Sequence, residues 1–273
     1  MPPLPSDKSA PTPSPHPIPP LHLRVLDVAH PGAQAFFRAT STPAESLRIA
    51  AERVLSTLYP PSPSSSGSSS SHGPPPIRSV TFHIRSFDGV AHTCGSELDN
   101  DHKELHLSSS YLATVAHNCG GKLSEIKHEV EGVLVHELVH AFQYDGKGSM
   151  PGGVIEGIAD WVRDRVGLGA LHWREDPSDD YIWDAGYSTT AYFFRWLSSH
   201  FDNPLLVPQL NLSMQKHTWD NGAHLKKLLK GKDVEELWRV YRRQVKRKEG
   251  EEEDEPPKPI PTHGVASGYN VRY

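Results

Sequence analysis

The sequence is poor in cysteine. Cys94 and Cys119 are the two cysteines among its 273 residues. Two cysteines are too few for a disulfide scaffold, and these two lie too far apart for a C-x-x-C metal or redox motif. The sequence leaves open whether they form one disulfide or remain two free thiols.

Long apolar runs and an excess of positive charge are also missing. No segment approaches the roughly 18 to 20 apolar residues of a membrane span, and the N-terminus has no apolar run like that of a signal peptide. The formal net charge is -5, which gives no basic field to attract nucleic acid or an anionic membrane. We therefore expect neither partner, and the missing leader by itself predicts a cytoplasmic protein.

Three segments are rich in proline, serine or acidic residues and bury little apolar surface. Residues 1–20 predict a disordered proline-rich arm, residues 60–76 (PPSPSSSGSSSSHGPPP) a flexible insertion, and residues 248–273 an acidic, proline-containing tail. The remaining stretch, 21–247, is long enough for one sizeable core. We predict a single domain over 21–247.

Strand patterns are concentrated in the first half of this stretch and helical patterns in the second. The runs LHLRVLDV, SVTFHIRSF and ELHLSSSYL (104–112) predict three or four strands. One helical pattern precedes the second run, at about 43–59. The others cover about 123–144, 153–166, 189–201 and 233–246, the last with a capping-box-like start at Asp233 and Glu236. Strands followed by helices predict an α+β fold rather than alternating βαβ units.

The stretch VHELVHAFQYDG contains the pattern H-E-x-x-H at His136, Glu137 and His140. On a helix the two histidines lie one turn apart and face the same way, so that their ring nitrogens can converge on one zinc ion. Glu137 is rotated by about 100° from them and can reach a water molecule at that ion. The pattern alone is only modestly specific.

The residues around the motif are apolar on nearly every side, which predicts a buried helix. Burying two imidazoles and a carboxylate without partners costs about 1 to 3 kcal/mol for each neutral polar group and more for a charge. A bound metal would remove that cost. The alternative is a pair of core histidines hydrogen-bonded to backbone or carboxylate groups.

A third zinc ligand has to come from elsewhere. The extended motif H-E-x-x-H-x-x-G-x-x-H fails, because Gln143 and Gly146 occupy its last two fixed positions. A following helix, PGGVIEGIADWVRDRVG, offers Glu156 as third ligand and Asp160 as the carboxylate that orients a ligand histidine. We expect the small residues Gly157 and Ala159 to let this helix approach the motif helix closely. The alternative is an ordinary solvated face with two acids.

The run VHELVHAFQYDGKGSMPGGVIEGIADWVRDRVGLGALHW, followed by WDAGYSTTAYFFRWL, resembles the plant basic secretory protein family, also described as a peptidase family of plants and bacteria. The resemblance is densest over about 130–200 and extends over about 22–245. It implies a zincin-type metallopeptidase fold: a small N-terminal mixed sheet, a mainly helical C-terminal part, and the motif helix at the centre. It also implies the ligand role of Glu156 and the supporting role of Asp160. Because the family is secreted, the resemblance and the missing leader point to different locations.

Further candidates lie outside the motif helices. Tyr187 is a candidate phenol donor to the oxyanion at the attacked carbonyl, with His172 a weaker one; the alternative for Tyr187 is a packed tyrosine at a helix end. In folds of this type the strand before the motif helix is often a sheet edge that pairs with substrate, and 104–112 is the candidate, with an ordinary half-buried strand as the alternative. The remaining histidines have no ligand spacing and are expected on the surface or in loops; they include His92, His102, His106 and His117.

Together these features predict a zinc-dependent peptidase, most simply an endopeptidase, that acts on a peptide or protein substrate. His136, His140 and Glu156 would hold one Zn²⁺ and leave a fourth position open, and Glu137 would be the general base. Two alternatives stay open. One is an inactive relative that only binds a partner; the other is a purely structural zinc site with Asp160 as fourth ligand. Substrate preference and oligomeric state do not follow from the sequence.

Overall fold

The structure, a computed structural model, describes residues 16–61, 73–175 and 181–253. Most of the predicted arm, insertion and tail therefore lies outside the described residues, and the division into domains stays a prediction. The last helix is longer than expected, because it runs to Glu253 and so into the predicted tail. Within the described part no helix has both the length and the apolar character needed to cross a membrane.

A four-stranded mixed sheet forms one layer of the described fold. Its strands are β1 (Leu21–Val25), β2 (Ser79–Arg85), β3 (Ala91–Ser96) and β4 (Asp99–Ser108), in the order β1-β2-β4-β3. The β1–β2 and β2–β4 pairs are parallel, whereas β3 and β4 form an antiparallel hairpin. β3 therefore lies at an edge, next to the internal strand β4.

The helices among the described residues number nine, and two of them separate the first two strands. They are α1 (Pro31–Thr40), α2 (Pro43–Leu58), α3 (Ser109–Asn118), α4 (Leu123–Phe142), α5 (Gly152–Arg165), α6 (Tyr187–His200), α7 (Leu206–Ser213), α8 (Ala223–Leu228) and α9 (Val234–Glu253). The expected mixed α+β composition is confirmed. The expectation that the strands precede the helices is wrong, because α1 and α2 lie between β1 and β2. These two strands are parallel neighbours, and parallel neighbours need such a crossover connection.

The expected strand over 104–112 is wrong in its second half. β4 ends at Ser108, whose hydroxyl accepts a hydrogen bond from the Tyr111 backbone N–H at 3.3 Å and so caps α3. The three serines of ELHLSSSYL thus mark a helix start rather than the continuation of the strand. Two glycines with positive φ, Gly120 and Gly121, then turn the chain from α3 into α4.

Side-chain alternation gives the sheet two different faces. The inner face carries the apolar residues Leu105 and Leu107 of β4 and Val80, Phe82 and Ile84 of β2, all buried in the core against the helices. The opposite face, called the outer face below, carries polar residues of the same strands. A strand's neighbouring side chains point to opposite faces, so β3 directs Thr93 inward and its neighbours His92 and Cys94 outward.

α4 is buried nearly all round, as its apolar sequence predicts, between α1, α2, α5 and β3. The expected role of Gly157 is wrong. Its close neighbour is Thr190 on α6, where an added Cβ would lie 2.3 Å from Thr190 Cγ2. The close approach to α4 instead occurs at Gly132, against the Arg163 guanidinium of α5. Missing side chains therefore set the spacing on both sides of α5.

Candidate metal centre and active site

The buried middle of α4 and the first half of α5 bring three metal-ligand atoms together. His136 Nε2 lies 3.1 Å from His140 Nε2 and 3.1 Å from Glu156 Oε2, and His140 Nε2 lies 3.5 Å from the same oxygen. Ligand atoms at about 2.0 to 2.1 Å from a tetrahedral zinc ion lie about 3.3 to 3.4 Å apart. The three side chains, called the helix centre below, therefore have the spacing of three zinc ligands.

Asp160 fixes the orientation of the first histidine. Its Oδ1 accepts a hydrogen bond from His136 Nδ1 at 2.6 Å, and the residue is only 2% exposed. With the proton on Nδ1, the Nε2 lone pair points into the helix centre. Asp160 thus acts on the imidazole from outside the three ligand atoms, which is the position expected of an orienting carboxylate.

Gln143 occupies the equivalent position beside the second histidine. Its side-chain amide lies 2.7 Å from His140 Nδ1, and Gln143 Oε1 is buried without a hydrogen-bond partner among the described residues. Rotating the side-chain amide of Gln143 by half a turn exchanges its oxygen and nitrogen. Oε1 then accepts a hydrogen bond from His140 Nδ1–H, and the lone pair of His140 Nε2 is available to a metal ion. Sequence reasoning missed this role, although Gln143 follows His140 by the three residues that keep two side chains on one helix face.

The charges around the helix centre favour a cation. Burial by itself lowers the pKa of His136, but Asp160 above all, then Glu156 and Glu137, raise it to about 10. Burial raises the pKa of Glu156, whereas hydrogen bonds from both histidines and their charge hold it well below its ordinary value. Carboxylates outnumber histidines here, so a positive charge in their midst is stabilised, and a divalent ion supplies one.

Glu137 is buried beside the helix centre and is contacted from the edge strand. Thr93 Oγ1 lies 2.8 Å from Glu137 Oε2 and 3.0 Å from the Glu137 carbonyl oxygen. The hydroxyl has one proton, so it donates to one of these oxygens at a time or is shared between them. Sequence reasoning missed Thr93, because a lone threonine in a short strand carries no motif.

The helix centre opens into a cleft of about 870 Å³. Tyr187 and His172 both line it, so the two candidate oxyanion donors lie at the same cleft. The Tyr187 ring is 42% exposed and nearly parallel to the His136 ring, with 6.2 Å between their centroids. Burial, and then the negative charges of Glu156, Asp160 and Glu137, raise the pKa of Tyr187, so its phenol keeps its proton.

The candidate substrate-binding strand at 104–112 is not a sheet edge, and the alternative of an ordinary strand holds for its first half. β4 pairs on both sides, with β2 and β3, so its backbone hydrogen bonds are used inside the sheet. The edge strand beside β4 is β3, and its residues Ala91, His92 and Thr93 line the cleft. Leu105 and Leu107 of β4 are buried, whereas no residue of β3 is fully buried, which fits an internal position for β4 and an edge position for β3.

Of the four histidines expected on the surface or in loops, His92 and His117 are exposed, as expected, whereas His102 and His106 are partly buried. His117 belongs to the last turn of α3, His102 and His106 to β4, and His92 to β3. The expectation that none has ligand spacing is wrong for His92 and His106, which meet across the hairpin in a group that could hold a metal. Cys94, in the same group, and Cys119 are free thiols.

Comparison with known proteins gives one match. The model of the BSP family, described as "Peptidase of plants and bacteria", matches residues 18–241. No curated protein and no solved structure matches the chain.

Proposed function

Because this chain belongs to the BSP family, the peptidases of plants and bacteria, we propose that it is a zinc-dependent endopeptidase with a zincin-like catalytic domain. The observation that carries the proposal is the convergence of His136, His140 and Glu156 within 3.5 Å of one another, with the Glu137 carboxylate buried beside them. Three protein ligands leave the fourth tetrahedral position open, which is typical of catalytic rather than structural zinc sites.

The donor set fits Zn²⁺, since two imidazoles and one carboxylate are ligands that this ion takes in catalytic sites. The ion, when bound, supplies a Lewis acid that activates water and polarises the scissile carbonyl. Asp160 and Gln143 hold the two ligand imidazoles with their Nε2 atoms turned inward. A structural site with Asp160 as fourth ligand is not supported, because this carboxylate contacts His136 Nδ1, on the far side of the ring.

Glu137 is the proposed general base. It accepts the proton of the attacking water and passes it to the leaving amine, and Thr93 holds its carboxylate by the hydrogen bond at 2.8 Å. Tyr187 is the proposed donor to the oxyanion that forms at the attacked carbonyl. Its raised pKa keeps the phenol protonated, and therefore able to donate, at neutral and moderately alkaline pH.

The test compares four versions of the full chain: wild type, Glu137→Gln, Tyr187→Phe and His140→Ala. We expect chelator-sensitive cleavage of an unfolded protein by the wild type. Glu137→Gln should keep its zinc and lose about 10² to 10⁴ in kcat/KM. Tyr187→Phe should lose about tenfold in kcat at an unchanged KM, as for one hydrogen bond to developing charge. His140→Ala should contain one zinc fewer per chain than the wild type.

Glu97→Gln is the matched control, because Glu97 is an exposed glutamate in the turn between β3 and β4. Full activity in Glu137→Gln would reject Glu137 as the base. Zinc binding at the helix centre without any cleavage by the wild type would favour the inactive, partner-binding relative. Equal zinc content in wild type and His140→Ala would reject the helix centre as a metal site.

A further inference from the structure

The outer face of the β3–β4 hairpin carries a second set of metal-ligand residues. Strand β3 contributes His92 and Cys94, and strand β4 contributes Glu104 and His106. Residues two apart in a strand share a face, and the antiparallel register pairs His92 with His106 and Cys94 with Glu104. The four side chains, called the sheet cluster below, therefore form a rectangle on two adjacent strands.

Within the sheet cluster the side chains are already close. The imidazoles of His92 and His106 stack with 4.7 Å between centroids, and His106 Nε2 lies 3.3 Å from Glu104 Oε2. The ligand atoms of His92, Cys94 and His106 all lie within 4.8 Å of one another. Nitrogen and sulfur ligands of one tetrahedral zinc ion lie about 3.3 to 3.6 Å apart. Rotation of the exposed side chains His92 and Cys94 can close the remaining gap of about 1 Å.

One buried polar atom beside the sheet cluster has no hydrogen-bond partner among the described residues. His83 of β2 stacks on the other side of His106, with 4.6 Å between centroids. Its Nε2 is this buried atom, and it lies 3.9 Å from Glu104 Oε2.

Positive charge near the sheet cluster opposes an ion there. The Arg85 guanidinium donates to His106 Nδ1 at 3.0 Å, and Arg24 acts on His83. A neutral imidazole that binds a metal keeps its proton on the other nitrogen. Arg85 must therefore release His106 when an ion binds, and the ion must be one with strong affinity for imidazole and thiolate rather than Mg²⁺ or Ca²⁺.

We propose that the outer face of the β3–β4 hairpin binds a second Zn²⁺ ion, separate from the helix centre, through His92, Cys94, Glu104 and His106. His92, Cys94 and His106 form the observed group, and Glu104, 3.3 Å from His106 Nε2, would complete four protein ligands and so a closed, structural site. Binding breaks the S–H bond of Cys94 and releases its proton to solvent as the sulfur–zinc bond forms, without any change of oxidation state. The ion ties the edge strand β3 to the internal strand β4.

The site has a consequence for the cleft, whose lining includes His92 and Thr93 of the edge strand. β3 presents Thr93 to Glu137 from its inner face while His92 and Cys94 lie on the outer face. An ion in the sheet cluster holds the edge strand by its side chains, where the strand has one hydrogen-bonded neighbour only. It thereby stabilises the backbone that positions Thr93.

Cobalt(II) is the probe, because only the sheet cluster offers a sulfur ligand. Added to the metal-free full chain, Co²⁺ bound to a thiolate gives a near-ultraviolet sulfur-to-cobalt charge-transfer band, whereas Co²⁺ at the helix centre gives none. We expect this band in the wild type, its loss together with one cobalt per chain in Cys94→Ser, and its retention in Cys119→Ser, the matched control.

His140→Ala separates this proposal from the proposed peptidase function. The band should persist in His140→Ala, since the helix centre plays no part in it. In that background, added Zn²⁺ should raise the melting temperature, and Cys94→Ser should remove the increase. The proposal is overturned by absence of the band in the wild type, by its persistence in Cys94→Ser, or by an intensity that depends on protein concentration as for an ion shared between two chains.

Discussion

The helix centre and the sheet cluster contain the same kinds of side chain but differ in how they are held. In the helix centre the three ligand atoms lie 3.1 to 3.5 Å apart, whereas in the sheet cluster His92 and Cys94 are exposed side chains that no hydrogen bond holds among the described residues. Asp160 and Gln143 orient the ring nitrogens of the first, and no such partners hold His92 in the described part of the second. Spacing alone therefore does not define a metal site; the groups behind the ligands decide whether it is preformed.

The charges around the helix centre and around the sheet cluster also differ. Carboxylates around the helix centre raise the pKa of His136, so this site attracts positive charge even before a metal binds. Burial, and then the neighbours His83, His92 and Arg85, lower the pKa of His106 in the sheet cluster. The first site is therefore suited to a catalytic ion held with an open position, and the second to an ion held by thiolate and imidazole affinity.

Of the changes that test this comparison, Asp160→Asn should have the largest effect, which is a loss of zinc affinity at the helix centre. The change removes the charged acceptor that fixes His136 Nδ1–H, and so makes the helix centre resemble the less well oriented sheet cluster. Loss of such a partner weakens metal affinity by about 10- to 100-fold. Competition with a chelating dye measures the zinc affinity, and Asp202→Asn, at an exposed position, is the control. An unchanged affinity in Asp160→Asn would show that orientation is not what separates the two sites.

A smaller effect is expected from Thr93→Val, which keeps the shape of the side chain and removes its hydroxyl. A hydrogen bond to a charged group contributes about 1.5 kcal/mol at the lower end of its range, which corresponds to about a tenfold lower kcat. KM and zinc content should stay the same, because the hydroxyl of Thr93 is bonded to Glu137 and to none of the three ligand residues. Thr81→Val, a threonine on the outer face of β2, is the control, and an equal loss in both variants would exclude a positioning role for Thr93.

The smallest effect concerns acid stability. Burial lowers the pKa of His83 and His106 in the folded protein, so the folded state binds fewer protons there than the unfolded state. Their contribution to stability is complete above about pH 6.5, the ordinary histidine value, and is lost as the pH falls through the lowered folded values. The free energy of unfolding in urea, with chelator present, should therefore fall less between pH 8 and pH 5 in His83→Gln than in wild type.

His22→Gln is the control for this experiment, since His22 is an exposed histidine on the outer face of β1. The interpretation fails if His83→Gln and wild type lose the same stability on acidification. It also fails if His22→Gln reduces the pH dependence as much as His83→Gln does.

The parts of the site that follow from local sequence were predictable. His136 and His140 lie one helical turn apart, and Glu156 and Asp160 share a face of the next helix, so that periodicity alone brings each pair together. Thr93 was not predictable, because its contact with Glu137 depends on which strand lies at the edge of the sheet. The order of the strands depends on the pairing of β4 with both β2 and β3. Such pairing joins residues far apart in the sequence and cannot be read from short apolar runs.

The start of α3 and the spacing between helices are two further features that the local sequence did not predict. In the sequence the serines at the end of β4 are consistent with a continuing strand, but in the structure Ser108 caps α3. Gly157 was expected to serve the contact with α4, yet the residue that it accommodates is Thr190. The sequence predicted that a close approach exists but not its partner, because a missing side chain indicates where space is needed and not what fills it.

The contact between Gly157 and Thr190 also constrains how this protein can evolve. Glu156 precedes Gly157 on α5, and Tyr187 begins α6, so one spacing between two helices sets the position of a ligand and of a cleft residue together. A methyl group at position 157 would push α6 away and move Tyr187 relative to Glu156. A lineage can therefore enlarge position 157 only after position 190 has become smaller, and the order of those two changes is fixed by the space between the helices.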